Sequence, residues 1–255
     1  MAIEIVTIPC LADNYAFLLN DSETGVTALV DAPEETPILK VLAERGWSLD
    51  MVLLTHHHFD HVDGLGGILT EHRATVVGAK ADAHRLPPLD IALSEGDDLK
   101  IGSTTAKVID VSGHTLGHIA FHIPQAQAVF TADSLMALGC GRLFEGEAAL
   151  AWESLQKLMA LSEDTIVYSG HEYTMANGKF AMTIEPGNPD LVARVKKIEQ
   201  ARMTGQPTVP SSLAEELATN PFLRGHMPEV QASVGLEGAD AGVVFARVRQ
   251  AKDNF

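Results

Sequence analysis

Residues 56–61 read His-His-His-Phe-Asp-His, four imidazoles and a carboxylate in six positions, directly behind the apolar run Met51-Val52-Leu53-Leu54. A short apolar run bounded by polar residues has the pattern of a buried strand, so the cluster begins where that strand would end. Neutral imidazoles and carboxylates are ligands for zinc and for the iron and manganese dications. A loop anchored by a rigid strand holds such ligands in place. The chain must therefore fold so that a strand end opens toward a site to which other segments bring further ligands.

Three other segments repeat the arrangement. Ala106–Val111 is followed by Ser112-Gly113-His114, Ala128–Ala132 by Asp133, and Thr165–Gly170 by His171. Each is a β-rich run with a potential ligand at its carboxyl end, where layered α/β folds collect their sites. In extended backbone, alternate side chains point the same way. His56, His58 and Asp60 are then expected to face one pocket and His57 to face away from it. A carboxylate suits a bridge between two dications because it has two oxygens and a charge, which a neutral imidazole lacks; Asp133 fits that role. His57, His72, His84, His118, His122 and His226 are assigned to ordinary surface or core positions.

At 255 residues and 46% hydrophobic, the chain can bury a substantial core as one large or two unequal domains. Met1–Ile8 alternates like a strand and lacks the basic start and apolar centre of a signal peptide. No apolar run approaches the roughly 20 residues needed to span a bilayer, which predicts a cytoplasmic protein with no membrane partner. Cys10 and Cys140 form no paired motif and are expected to be reduced thiols. A net charge of −16 argues against a nucleic-acid partner. It also requires any anionic substrate to meet locally concentrated cations. No Gly-x-Ser-x-Gly elbow accompanies Ser112 or Ser134, and Cys140 reads as a residue of the Gly139-Cys140-Gly141 turn.

Strands are predicted at 3–8, 16–19 and 26–30, a helix at 37–46 with Pro near its start and Gly at its end, and a short helix at 65–72. Strands then dominate from Thr75 to Asp133. Residues 147–161 have a helical pattern with Leu150, Leu155, Leu158 and Met159 on one side, and 165–169 is a last β segment. Beyond Thr174, residues 188–203, 211–218 and 239–251 read as helices. This is an α+β chain: a two-sheet sandwich flanked by helices, then a small helical domain. Asp31, ending an apolar strand, either accepts a hydrogen bond from a ligand histidine or caps a turn before Ala32-Pro33.

The pattern His-x-His-x-Asp-His followed by a lone His, a lone Asp and a last His resembles the metallo-β-lactamase fold superfamily. The segments 140–146, 171–174, 220–224 and 249–255 narrow the resemblance to the hydroxyacylglutathione hydrolases, or glyoxalase II enzymes, over nearly the whole chain. The resemblance implies a metallo-β-lactamase-like αββα sandwich at 1–173 as the catalytic domain, and a C-terminal helical substrate-binding domain at 174–255. It implies two divalent metal ions, zinc first, with iron or manganese also suited. His56, His58 and His114 would bind one, Asp60, His61 and His171 the other, and Asp133 both, with Asp60 and Asp133 catalytic. A metal can lower the pKa of bound water from about 15.7 to near 7, providing a nucleophile without serine or cysteine.

Substrate contacts are implied for Arg142, Phe144, Tyr173, Arg249 and Lys252. Relatives often carry Lys at 142, which Arg can replace with a bidentate grip. They often carry Tyr at 144, whose hydroxyl Phe144 lacks. The implied reaction is hydrolysis of S-(2-hydroxyacyl)glutathione thioesters, S-D-lactoylglutathione giving D-lactate and glutathione in methylglyoxal detoxification. Two alternatives are a glutathione persulfide dioxygenase with a single iron and a non-catalytic metal-binding module. The helical tail ending at Phe255 and the seven-ligand set weigh against them. RNA-processing relatives share the motif, but the acidic chain lacks a basic exosite.

Overall fold

The structure, a computed structural model, describes residues 3–255; Met1 and Ala2, which open the alternating stretch 1–8, lie outside the described residues. The chain forms two compact units, one running to Asp110 and taking in Leu116–Thr131, the other made of Val111–Thr115 and Ala132–Phe255.

The first unit opens with a meander, β1 (Ile3–Cys10), β2 (Asn14–Asp21) and β3 (Thr27–Val30), joined in parallel by β4 (Met51–Leu53), β5 (Thr75–Ala79) and β6 (Ile91–Leu93). Every residue of β2 and β3 is buried, as strands covered on both faces require. Helix α1 (Glu35–Arg45) ends on Gly46 at φ 66°, the left-handed cap that glycine adopts without strain. A helical turn α2 (Phe59–Val62) and α3 (Leu65–Glu71) follow β4. An antiparallel ladder of β7 (Asp98–Ile101), β8 (Thr104–Asp110), β9 (Ile119–Ile123) and β10 (Ala128–Ala132) forms next. Phe17 of β2 meets Phe130 of β10 with ring centroids 5.6 Å apart, so the two sheets share one apolar core.

The second unit contains the short hairpin β11 (Leu135–Met136) and β12 (Gly139–Cys140), α4 (Ala148–Met159), and β13 (Ile166–Ser169). It continues with α5 (Thr174–Ile184), α6 (Pro189–Met203), β14 (Ser211–Ser212) paired antiparallel with β13, α7 (Leu213–Thr219), α8 (Pro228–Ser233) and α9 (Ala241–Asp253). The buried face of α4 is Ala151, Ser154, Leu155 and Leu158; Leu150 and Met159 are only half-buried, which corrects the predicted stripe. Helix α5 escaped prediction because its buried face includes Thr174, Asn177 and Gly178, so no apolar period marks it. Ser211 and Ser212 are strand, and Ser212 caps α7 by accepting from Glu215 N–H. Among the described residues no helix is long and apolar enough to cross a membrane.

Candidate functional site

In the first unit the site grows from the ends of two neighbouring parallel strands. β3 ends beside Asp31, whose backbone sits at φ 56°, a left-handed conformation that Asp tolerates better than most residues. That turn points the carboxylate at the loop leaving β4. Asp31 Oδ1 accepts the Thr55 N–H at 2.8 Å, Oδ2 accepts the Thr55 hydroxyl at 2.8 Å, and His61 Nδ1 lies 2.8 Å from the same oxygen. Of the two readings of Asp31, hydrogen bonding to a histidine of the cluster is the one observed.

These bonds decide which nitrogen of each ring is available. With its proton given to Asp31, the Thr55 oxygen is left to accept from His56 Nδ1, 3.0 Å away. A neutral imidazole that donates from Nδ1 carries its lone pair on Nε2. His56 and His61, both fully buried, therefore present Nε2 as the ligand atom. His56 Nε2 lies 3.2 Å from His58 Nδ1, and His61 Nε2 lies 3.8 Å from Asp60 Oδ2. Asp31, His56 and His61 form a buried group with ligand atoms within 4.8 Å of one another, of which Asp31 is committed to hydrogen bonds.

The alternation expected along the loop describes His56, His57 and His58 but not Asp60. His58 is extended, at φ −61° and ψ 141°, and the chain then enters α2, so Asp60 and His61 arrive on a helical turn. His57 points elsewhere: its Nδ1 lies 2.8 Å from Oδ2 of fully buried Asp82. His57→Ala is accordingly expected to keep metal content and most activity, whereas His56→Ala and His58→Ala lose metal. Leaving the Asp82 oxygen without this partner costs about 1–3 kcal/mol of stability, read as a lower Tm in a thermal melt. Loss of a metal ion from His57→Ala with retention in His58→Ala would place the ligand register one residue out.

In the second unit, His114, Asp133 and His171 converge. His114 Nδ1 lies 2.7 Å from the Arg142 carbonyl. A carbonyl only accepts, so Nδ1 carries the proton and Nε2 the lone pair. That Nε2 lies 3.4 Å from Asp133 Oδ2, and His171 Nε2 lies 3.4 Å from the same oxygen. Two imidazole nitrogens facing one carboxylate oxygen in a buried setting are satisfied either by protons on Nε2 or by a cation where they meet. The donor types fit a borderline dication, so both donor sets suit the expected metals.

The loop after β12 builds a wall around His114. Phe144 N–H donates to the His114 carbonyl and Gly146 N–H to the Gly113 carbonyl. The Phe144 ring stands edge-on to His114 at 5.3 Å, and Tyr173 stacks on His171 at 4.6 Å. Phe144, Tyr173 and Arg142 are all exposed. Arg142 Nε lies 3.6 Å from Asp253 Oδ1, which ties the loop to the end of α9. Lys252 donates to the Ala176 carbonyl at 3.2 Å and sits over the Phe180 and Phe255 rings. Its burial, then the charge of Arg249, hold its pKa below the usual lysine range. Arg249 is only 6% exposed. Its guanidinium donates to the Cys140 carbonyl and to Asp253 and lies over Phe222. Cys140 and Cys10 are free, buried thiols; burial pushes the Cys10 pKa up to about 12 and that of Cys140 upward as well.

Two contributors were not legible in sequence. Thr55 stands beside the cluster but carries no ligand signature, and only its contact with Asp31, 24 residues away, reveals its part. His118, assigned to an ordinary position, stacks on His56 at 4.6 Å and 13°.

Comparison with known proteins bears on both units. The model of the metallo-beta-lactamase superfamily matches residues 15–171, and that of the hydroxyacylglutathione hydrolase C-terminus matches 172–255. A hydroxyacylglutathione hydrolase of Ruegeria pomeroyi is 59% identical over 255 residues, covering 100% of both chains. One of a Jannaschia species is 61% identical over 252 residues, covering 99% of this chain and 98% of its own. The crystal structure of TTHA1623 in a di-iron-bound form superposes with a TM-score of 0.62 at 26% identity, covering 86% of this chain and 100% of that one. With the histidine and aspartate donors at the strand ends and both family models matched across the chain, this protein belongs to the hydroxyacylglutathione hydrolase family of the metallo-β-lactamase superfamily.

Proposed function

We propose that this chain is a binuclear metal-dependent hydrolase of S-(2-hydroxyacyl)glutathione thioesters, converting S-D-lactoylglutathione to D-lactate and glutathione in the detoxification of methylglyoxal. The carrying observation is the aiming of His114 and His171 Nε2 at one buried Asp133 oxygen, in a chain whose curated relatives are named hydroxyacylglutathione hydrolases. His56, His58 and His114 are assigned to one ion, Asp60, His61 and His171 to the other, and Asp133 to both. Zinc is the first candidate, with iron or manganese suited by the same donors; the di-iron form of TTHA1623 supports a two-metal reading. When bound, such ions polarise a carbonyl and bring a water's pKa toward neutrality.

The chain's own groups orient the reaction. Asp31 and Thr55 fix the tautomers of His56 and His61, and the Arg142 carbonyl fixes that of His114. Phe144 and Tyr173 offer exposed ring surface beside His114 and His171. Arg142 and Lys252 supply cations to the glutathione carboxylates in an otherwise acidic protein. Arg249, included among the expected substrate contacts, is proposed to serve that surface by holding Asp253 and the Cys140 carbonyl. Residues 1–173 are assigned to the chemistry and 174–255 to substrate recognition, a division by role. The charge of −16 supports a small-molecule substrate over nucleic acid, and the proposed location is the cytoplasm without a membrane partner.

Thioester hydrolysis by purified protein, with metal content measured on the same sample, tests the proposal. About two metals per chain and glutathione release are expected; oxygen consumption with glutathione persulfide and no thioester cleavage would overturn it. Lys252→Ala is expected to raise KM about tenfold, the loss of about 1.4 kcal/mol of charged hydrogen bonding. A contact equal in ground and transition states leaves kcat nearly unchanged, and a small thioester lacking glutathione should be affected less. A collapse of kcat at constant KM would remove Lys252 from substrate binding.

A further inference from the structure

The turn between β1 and β2 reaches the metal loop through the Asn14 side chain. Asn14, the first residue of β2, is 4% exposed. Its Nδ2 donates to two acceptors of the same residue, the Asp60 carbonyl at 3.0 Å and the Asp60 Oδ2 at 3.0 Å. One amide thus fixes both the backbone and the carboxylate of a residue 46 positions away. An Asn is suited to this because its NH2 offers two donors in one plane.

The support behind Asn14 is itself constrained. Cys10 pairs with Asn14 across the antiparallel ladder, closing a three-residue turn. Leu11 in that turn adopts φ 49°, and its N–H donates to Glu34 Oε2 at 2.8 Å. A leucine in the left-handed region is strained, so the turn is held in its shape by its partners. Asn14 therefore projects from a fixed platform, while Asp60 sits on the four-residue turn α2, too short to orient itself.

We propose that Asn14 is a positioning residue for the metal site: it holds the Asp60 carboxylate in the orientation that ligates the second ion, an inference that rests on the assignment of Asp60 as a ligand. Partners that orient a ligating carboxylate typically contribute 10–100-fold in metal affinity.

Metal stoichiometry and chelator competition on Asn14→Leu, Asn14→Ala, Asp60→Asn and Asn20→Leu test it. Asn14→Leu keeps the number of side-chain heavy atoms while removing the donors, and Asn14→Ala serves if the bulkier leucine is not tolerated. Asn20 is the control: it is buried in the same strand, and its Nδ2 donates to Thr27 Oγ1 at 2.9 Å, so its loss reports generic hairpin damage. We expect the Asn14 variants to bind the weaker-held ion about 10–100-fold less tightly, leaving about one metal per chain after dialysis, with Asn20→Leu retaining two. Unchanged affinity in the Asn14 variants while Asp60→Asn loses an ion overturns the inference alone. Equal metal loss in Asn20→Leu also overturns it. Retention of both ions by Asp60→Asn overturns the ligand assignment and the inference with it.

Discussion

Asp133→Asn is expected to lower kcat/KM by at least about 100-fold, the scale on which removal of preorganised catalytic electrostatics acts, and to leave fewer than two metals bound. The substitution keeps the size of the side chain and removes its charge. In the native chain, His114 Nε2 and His171 Nε2 each lie 3.4 Å from Oδ2. The asparagine amide can turn its NH2 to His114 Nε2 and donate to its lone pair. That arrangement satisfies His114 without a cation, and the lost charge weakens the hold on any dication, so the variant favours the metal-free state. Steady-state kinetics and elemental analysis of one preparation check this. Near-normal turnover with two metals bound would remove Asp133 from the bridging role.

Gly141→Ala is expected to have an effect of similar size although residue 141 offers no side chain to the chemistry. A Cβ at this position would lie 1.9 Å from the Asp133 carbonyl oxygen and 3.0 Å from His114 Nδ1. The glycine cannot readily move aside, because its N–H donates to the Ser134 carbonyl and the β11–β12 hairpin pairs immediately before it. Asp133 and His114 must shift instead. A displacement near 1 Å at reacting groups costs about 100-fold in rate, and overpacking costs about 1–3 kcal/mol of stability. Gly66→Ala is the matched control: it lies in α3 with nothing within 4 Å of the added methyl and is expected to be neutral or slightly stabilising. Full activity in Gly141→Ala would show that this close approach does not set the positions of the two donors.

Much of the framework was legible because it depends on local pattern. The apolar runs ahead of His56, His114, Asp133 and His171 are strands β4, β8, β10 and β13 in the structure, since β-rich segments need only a covered sheet to form. The helices at 35–45, 189–203 and 241–253 follow from local caps and spacing. Helix α5 was not legible, because its buried face interrupts Phe180, Ala181 and Ile184 with Thr174, Asn177 and Gly178, and such polar and small residues become core only when another element packs closely on them. The helical turn that carries Asp60 was hidden for a related reason. Four residues have no period, and the turn is closed by bonds such as Ala32 N–H to the His61 carbonyl.

The sequence by itself determined the donor types, their places at strand ends, the family and the acidic background against which a few cations stand out. Those properties reside in residue identity and short-range pattern. Only the tertiary structure decided which nitrogen each histidine presents, because that depends on acceptors brought from elsewhere, Asp31 for His61 and the Arg142 carbonyl for His114. It also separated two cations that sequence treats alike. Arg249 and Lys252 lie three residues apart on α9, yet Arg249 is buried against Cys140 and Asp253 while Lys252 stays half-buried. A helix turns about 300° over three residues, and the packing of its neighbours determines which of those directions is covered.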